Sequence, residues 1–196
     1  MPRRWRFILS CGLAGINAVL LIAARLAARR DSSPYAFGAL LILVSIFCIV
    51  EATLVDEVPR GRSNLAGLAS LTGIGVLATF VLAIVTEGHT ANDSLHIVGG
   101  AAVMTIGIAL RCAAIYTLGP RFVSELRVSD DEPLVTDGVY RWLAHPSEIG
   151  LLVASAGSAL LLRSVSAFLF WAIFVLPLTI LRVRTENAFL RGSHVQ

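Results

Sequence analysis

The chain has 196 residues, of which 56% are hydrophobic and 15% charged. A soluble domain is about half apolar and about a quarter charged, so this composition excludes a water-bathed globule and points to an integral membrane protein. The net charge of +3 rests on arginines that flank apolar runs, which fits membrane orientation and argues against a nucleic-acid partner.

The apolar runs are continuous rather than alternating, so the expected fold class is all-α, with five to six membrane helices. The opening "MPRRWRFILSCGLAGINAVLLIAARLAA" has a signal-peptide outline. Arg25 stands where a cleavage region would lie, however, and the run is long enough to span. Residues 7–28 are therefore read as a retained first helix. Residues 35–55 and 65–85 form the second and third spans, closed by "DEVPRGR" and "TEGHTANDS". Residues 95–118 are the fourth, with Arg111 inside it. Cys11, Cys48 and Cys112 lie in apolar segments with no CxxC spacing, so neither a disulfide framework nor a metal site is expected.

A polar stretch, 119–148, follows. Two further apolar runs, 149–162 and 165–181, are joined by Arg163-Ser164 and expected to form a helical hairpin. The first arm would reach about 21 Å, short of the ~30 Å hydrocarbon core. Pro177 is expected to kink the second. The chain divides into 1–94, three membrane helices, and 95–196, which holds the polar stretch and the hairpin.

Arginines are in excess at the N-terminus, in the 56–64 loop, in 119–148 and at the C-terminus, which makes that side cytoplasmic. All 16 basic residues are arginine, which fits a GC-rich bacterial genome and hence a bacterial inner membrane. Arg111, the 119–148 stretch and Arg182–Glu186 gather the in-span and near-span charge on this same side. Charge there is costly, about 2.5–3.5 kcal/mol at a helix centre, so such a gathering suggests a site.

In "GVYRWLAHPSEIG" Pro146 suits a first helical position, which makes His145 the N-cap and Glu148 the third helical residue. Free N–H groups at such a helix start can cradle an anion. Glu148 can equally cap its own helix. In "RVRTENAFL" Arg182 and Glu186 share a helix face, and a simple ion pair would explain them.

Taken together, "PLVTDGVYRWLAHPSEIG", a hairpin and "RVRTENAFL" resemble the isoprenylcysteine carboxyl methyltransferase family. Its members carry LVxxGxYxxxRHPxYxG, a helical hairpin and a terminal RxxxEExxL, and phospholipid N-methyltransferases share a related layout. The resemblance covers roughly residues 107–190. It implies a cytosolic pocket for S-adenosylmethionine and a lipophilic acceptor that enters from the bilayer. By position, Leu134, Val135, Tyr140, His145, Pro146, Ser147, Glu148 and Glu186 would line the cofactor pocket, with Glu125 as a looser match. Arg182 would face the acceptor, and His145 would serve as a base where the acceptor needs one. Ala144, Glu148 and Asn187 depart from the family pattern. They motivate an alternative, a non-catalytic relative that binds lipid or a membrane partner. A transporter is disfavoured, because polar groups are sparse at the midplane. The sequence leaves the oligomeric state open.

Overall fold

The computed structural model describes residues 3–28, 33–54, 66–87, 94–119 and 137–193, and the statements of structure below concern these. Their regular elements are all helical. In chain order they are α1 (Arg3–Ala28), α2 (Pro34–Leu54), α3 (Ala66–Val85), α4 (Ser94–Leu118), a 3₁₀ turn (Gly138–Arg141), α5 (Pro146–Leu161), α6 (Val165–Phe170), a π turn (Trp171–Val175) and α7 (Leu176–Ser193). Each of the first four apolar runs becomes one helix.

Ser94–Leu118 and Val165–Ala188 are each long and apolar enough to cross a membrane. Large apolar side chains also stand exposed around the bundle, among them Val19, Leu26, Ile42, Ile74, Val98 and Ile173. Apolar surface spread this widely matches a lipid-facing belt. Hydroxyls inside the helices bond back to the preceding turn: Thr72 to the Leu68 carbonyl at 2.9 Å, Thr79 to Gly75 at 2.9 Å and Thr179 to Val175 at 2.8 Å. That satisfies them locally where no water is available.

The closest packing joins α4 to α5. A Cβ built at Gly107 would lie 2.3 Å from the Ala154 nitrogen, and one at Gly157 would lie 2.5 Å from that of Met104. Gly100 meets Leu161 and Gly150 meets Arg111 in the same way. Rising numbers on α4 meet falling numbers on α5, so the pair is antiparallel. Small residues let the two backbones touch, which is how helices gain dispersion contact where lipid offers no hydrophobic drive.

The hairpin turn is made at Leu162–Ser164. Arg163 takes a left-handed backbone (φ 50°), and the Ser164 hydroxyl accepts from the Ala167 N–H at 3.0 Å to cap α6. The same hydroxyl lies 2.5 Å from that of Thr86, which ties the turn to the end of α3. Beyond it the second arm runs on through α6, the π turn and α7 without a break, well past the expected end at residue 181. Pro177 does not end this helix. It has no N–H to offer the Ile173 carbonyl, and the ladder widens just ahead of it, with the Leu176 N–H reaching the Trp171 carbonyl. The arms also part company, since α5 lies on α4 while the second arm leans on α3.

Candidate active site

The C-terminal third of α4, the 3₁₀ turn, the start of α5 and the middle of α7 converge at one end of the bundle. Gly138 opens the 3₁₀ turn with a left-handed backbone (φ 57°) and packs against Thr117 of α4, where a Cβ would come within 2.9 Å of the Thr117 hydroxyl. That contact places Tyr140 beside the start of α5. His145 occupies the N-cap of α5 with Pro146 at N1, as the sequence suggests, although the imidazole makes no capping bond. Its two nitrogens turn to α7 instead: Nε2 lies 3.0 Å from Asn187 Oδ1, and Nδ1 lies 3.6 Å from Glu186 Oε2.

Glu148 is buried, with 7% of its surface exposed. Its Oε1 meets Arg182 Nη2 at 3.3 Å, while Oε2 is buried with no hydrogen-bond partner. The capping role open to Glu148 in the sequence is thus not the one it takes, because its carboxylate crosses to α7. Arg111, equally buried, donates from Nη1 to the Ser147 hydroxyl at 2.8 Å and to the Ser147 carbonyl at 3.3 Å. Each first-turn side chain of α5 is therefore held by a different neighbour. Pro146 is fully buried beneath them.

Burial, helped by the negative charges of Glu186 and Glu148 and opposed by Arg111, pushes the Tyr140 phenol up to about 12. It therefore stays protonated at neutral pH and serves as a hydrogen-bond donor rather than a base.

Of the residues singled out in the sequence, Tyr140, His145, Pro146, Ser147, Glu148, Arg182 and Glu186 are brought together. Glu125, Leu134 and Val135 lie outside the described residues. Asn187 enters as a partner of His145, although in the sequence it reads only as a missing carboxylate. Ser147 proves to be the anchor of Arg111. Among the described residues no cluster of His, Cys, Asp and Glu could hold a metal ion.

The site presents two carboxylates, one with a buried oxygen that lacks a partner. A buried carboxylate oxygen without a donor is costly and suits a cationic ligand group.

Residues 100–192 match the profile of the isoprenylcysteine carboxyl methyltransferase (ICMT) family. The chain is similar to protein-S-isoprenylcysteine O-methyltransferase A of Arabidopsis thaliana, 33% identical over 93 residues, which cover 46% of this chain and 47% of that protein. Protein-S-isoprenylcysteine O-methyltransferase of Mus musculus is 37% identical over 102 residues, 48% of this chain and 34% of the relative. That of Homo sapiens is 40% identical over 67 residues, 33% of this chain and 24% of the relative. The chain thus spans less than half the length of these relatives. No solved structure matches it.

Proposed function

From the premise that residues 100–192 are a segment of the isoprenylcysteine carboxyl methyltransferase family, we propose that the protein is a membrane-embedded methyltransferase. It uses S-adenosylmethionine and methylates the carboxyl oxygen of a lipophilic acceptor. The observation that carries this reading is the meeting of Glu148 and Arg182 from α5 and α7, with Glu148 Oε2 left buried and unpartnered beside His145 and Glu186.

When bound, the cofactor supplies an electrophilic methyl group. Glu148 and Glu186 hold its cationic groups, and Tyr140, His145, Pro146 and Ser147 wall the pocket, joined by Glu125, Leu134 and Val135 from outside the described residues. A carboxylate acceptor is already a nucleophile and needs no base, so the protein's task is position. Arg182 orients the acceptor with its planar fork. His145, held by Asn187 and Glu186, keeps a fixed ring plane at the mouth of α5 and is the available base for an acceptor that must lose a proton.

The site belongs to 95–196, and 1–94 provides helices that face the bilayer. All six apolar segments cross or enter the membrane, the site faces the cytosol by the arginine bias, and the membrane is the inner one of a bacterium. A second reading, a non-catalytic relative that binds lipid, is favoured by the Arg182–Glu148 pair, which holds internally the arginine needed for the acceptor.

Calorimetry on purified protein tests the choice. S-adenosylmethionine should bind saturably, and His145→Ala and Glu186→Ala should each weaken it by about tenfold or more, the scale of one charge-assisted contact. Lipid binding with no affinity for the cofactor would select the second reading, and unchanged affinity in both variants would remove the assigned site.

A further inference from the structure

Both ring nitrogens of His145 are taken by consecutive residues of α7. Their side chains diverge by about 100° and so reach opposite edges of one imidazole. Asn187 Oδ1 lies 3.0 Å from Nε2, and Glu186 Oε2 lies 3.6 Å from Nδ1. Two oxygens on two edges ask for two N–H groups, which the imidazolium has and the neutral ring lacks. The neutral ring fits once the Asn187 amide turns over, because its NH₂ then faces Nε2 while Nδ1–H still faces Glu186. A carboxylate at position 187 would serve the charged ring alone. An amide serves both states, and the ring need not move.

The charge of the trio follows that proton. With the ring protonated, His145 and Glu186 cancel. With the ring neutral, Glu186 keeps its negative charge for a cation. The other charged or titratable groups in reach are Glu148 of α5, Arg111 of α4, Tyr140 of the 3₁₀ turn and Arg182 of α7. Glu148 is tied to Arg182 at 3.3 Å, the arginines keep their charge, and the Tyr140 phenol holds its proton up to about 12. Between about pH 5 and 8, imidazole is the side chain suited to change charge. The His145 side chain is 17% exposed, which gives the proton a way out to water.

We infer that Asn187 is a positioning residue that acts through His145, and that the trio links cofactor binding to a proton. A cationic ligand group held by Glu186 drives one proton off His145 Nε2, and the Asn187 amide turns its NH₂ to the lone pair left behind. The proton goes to water, Nδ1–H stays on Glu186, and no bond of the ligand changes. The inference rests on the methyltransferase reading, in which Glu186 holds a cationic group, and adds the regulation of that same site. The sign is fixed. Affinity for the cation is full with the ring neutral and is lost as pH falls through the imidazole range, approaching about tenfold per pH unit where one proton leaves for each ligand bound.

Calorimetry of the full chain in nanodiscs counts the protons. S-adenosylmethionine is titrated between about pH 5 and 8 in buffers of different ionisation enthalpy. The difference between wild type and His145→Gln, which cannot titrate, should approach about one proton released per ligand at the acid end. Asn187→Asp keeps the shape and holds the ring charged throughout, so the release and the pH slope of affinity should both vanish. NMR of ¹⁵N-histidine reads the ring in the unliganded protein. The His145 signals, identified by their loss in His145→Gln, should pass from two protonated nitrogens to one as pH rises, with the last proton on Nδ1. In Asn187→Asp both nitrogens should stay protonated. Release that persists in His145→Gln would place the proton on Glu186 and overturn the inference. So would affinity that holds or rises as pH falls, or a ring that ignores Asn187→Asp. If S-adenosylmethionine binds and no proton leaves, the inference fails and the methyltransferase reading stands. If it does not bind at all, the reading and the coupling fail together, and an NMR titration that runs as expected preserves only the Asn187–His145 pairing.

Discussion

Glu148 and Asn187 show how single residues acquire meaning from their neighbours. In the sequence Glu148 stands where the related motif has tyrosine, and capping is an available role. In the fold it lies against Arg182, 34 positions away, a pairing that no local periodicity reveals. Breaking a buried pair by removing one partner costs several kcal/mol, because the remaining charge is stranded. Glu148→Gln should therefore lower stability by about 3 kcal/mol and weaken cofactor binding, read by chemical denaturation and calorimetry. Asn187 reads in the sequence as a lost acid, and the structure gives it the Nε2 edge of His145. Arg111 was conspicuous as a charge inside an apolar run, whereas Ser147 was singled out only as a pocket-lining residue, and nothing in the sequence marked it as the anchor of Arg111. Tyr140 yields a titration test. Its phenol keeps its proton in the fold up to about 12, against 10.0 for an ordinary one. The unfolded chain loses that proton first as pH rises, so this contribution to stability is complete below pH 10 and disappears through about 12. The phenolate absorbance that distinguishes wild type from Tyr140→Phe should appear near pH 12; a difference already complete near 10 would contradict the burial described.

At the scale of elements, hydropathy located the helices and misjudged some ends. The apolar run begins at 149, but the helix begins at Pro146, as a proline suited to the first helical position indicated, because polar residues open its first turn. The second arm likewise continues through Arg182–Ser193, where helix persists although apolar character does not. Pro177 was legible as a disturbance, but its outcome, a widened turn one step upstream, depends on how α6 seats on α3. The α4–α5 seam was hidden, since a glycine in an apolar run looks the same whether it faces lipid or another backbone. Gly107→Leu and Gly157→Leu each drive a side chain into backbone less than 3 Å away. Each should cost at least about 1–3 kcal/mol and lower the thermal midpoint. Gly38→Leu, where a Cβ meets nothing within 4 Å, should leave the midpoint unchanged.

For the whole molecule, membrane class followed from composition, because a 196-residue chain with 15% charge cannot clothe itself for water, and a helical build followed from apolar runs that are continuous rather than alternating. The convergence of three separated charged segments was legible too, through the rule that charge near a span is rare unless used. Two labels read the orientation directly. A reporter fused after Gln196 should register as cytosolic, and a single cysteine placed within residues 29–33 should react with an impermeant maleimide added from outside. Exposed Tyr116 and Trp142 lie at the site end of the bundle, where amphipathic rings favour the boundary between lipid and water.

The glycine seam has a mechanical consequence. Two helices whose backbones interlock at four successive steps have almost no freedom to slide or part, so α4 and α5 act as a fixed jamb. The opposite wall, α7, is joined to that jamb across the site by Glu148–Arg182 and by His145 with Glu186 and Asn187, and it hangs below a π turn. Any opening that admits a large ligand falls to that leaf. Spin labels paired across α4 and α5 should hold one distance through a binding cycle, while a pair from α5 to α7 should report the swing.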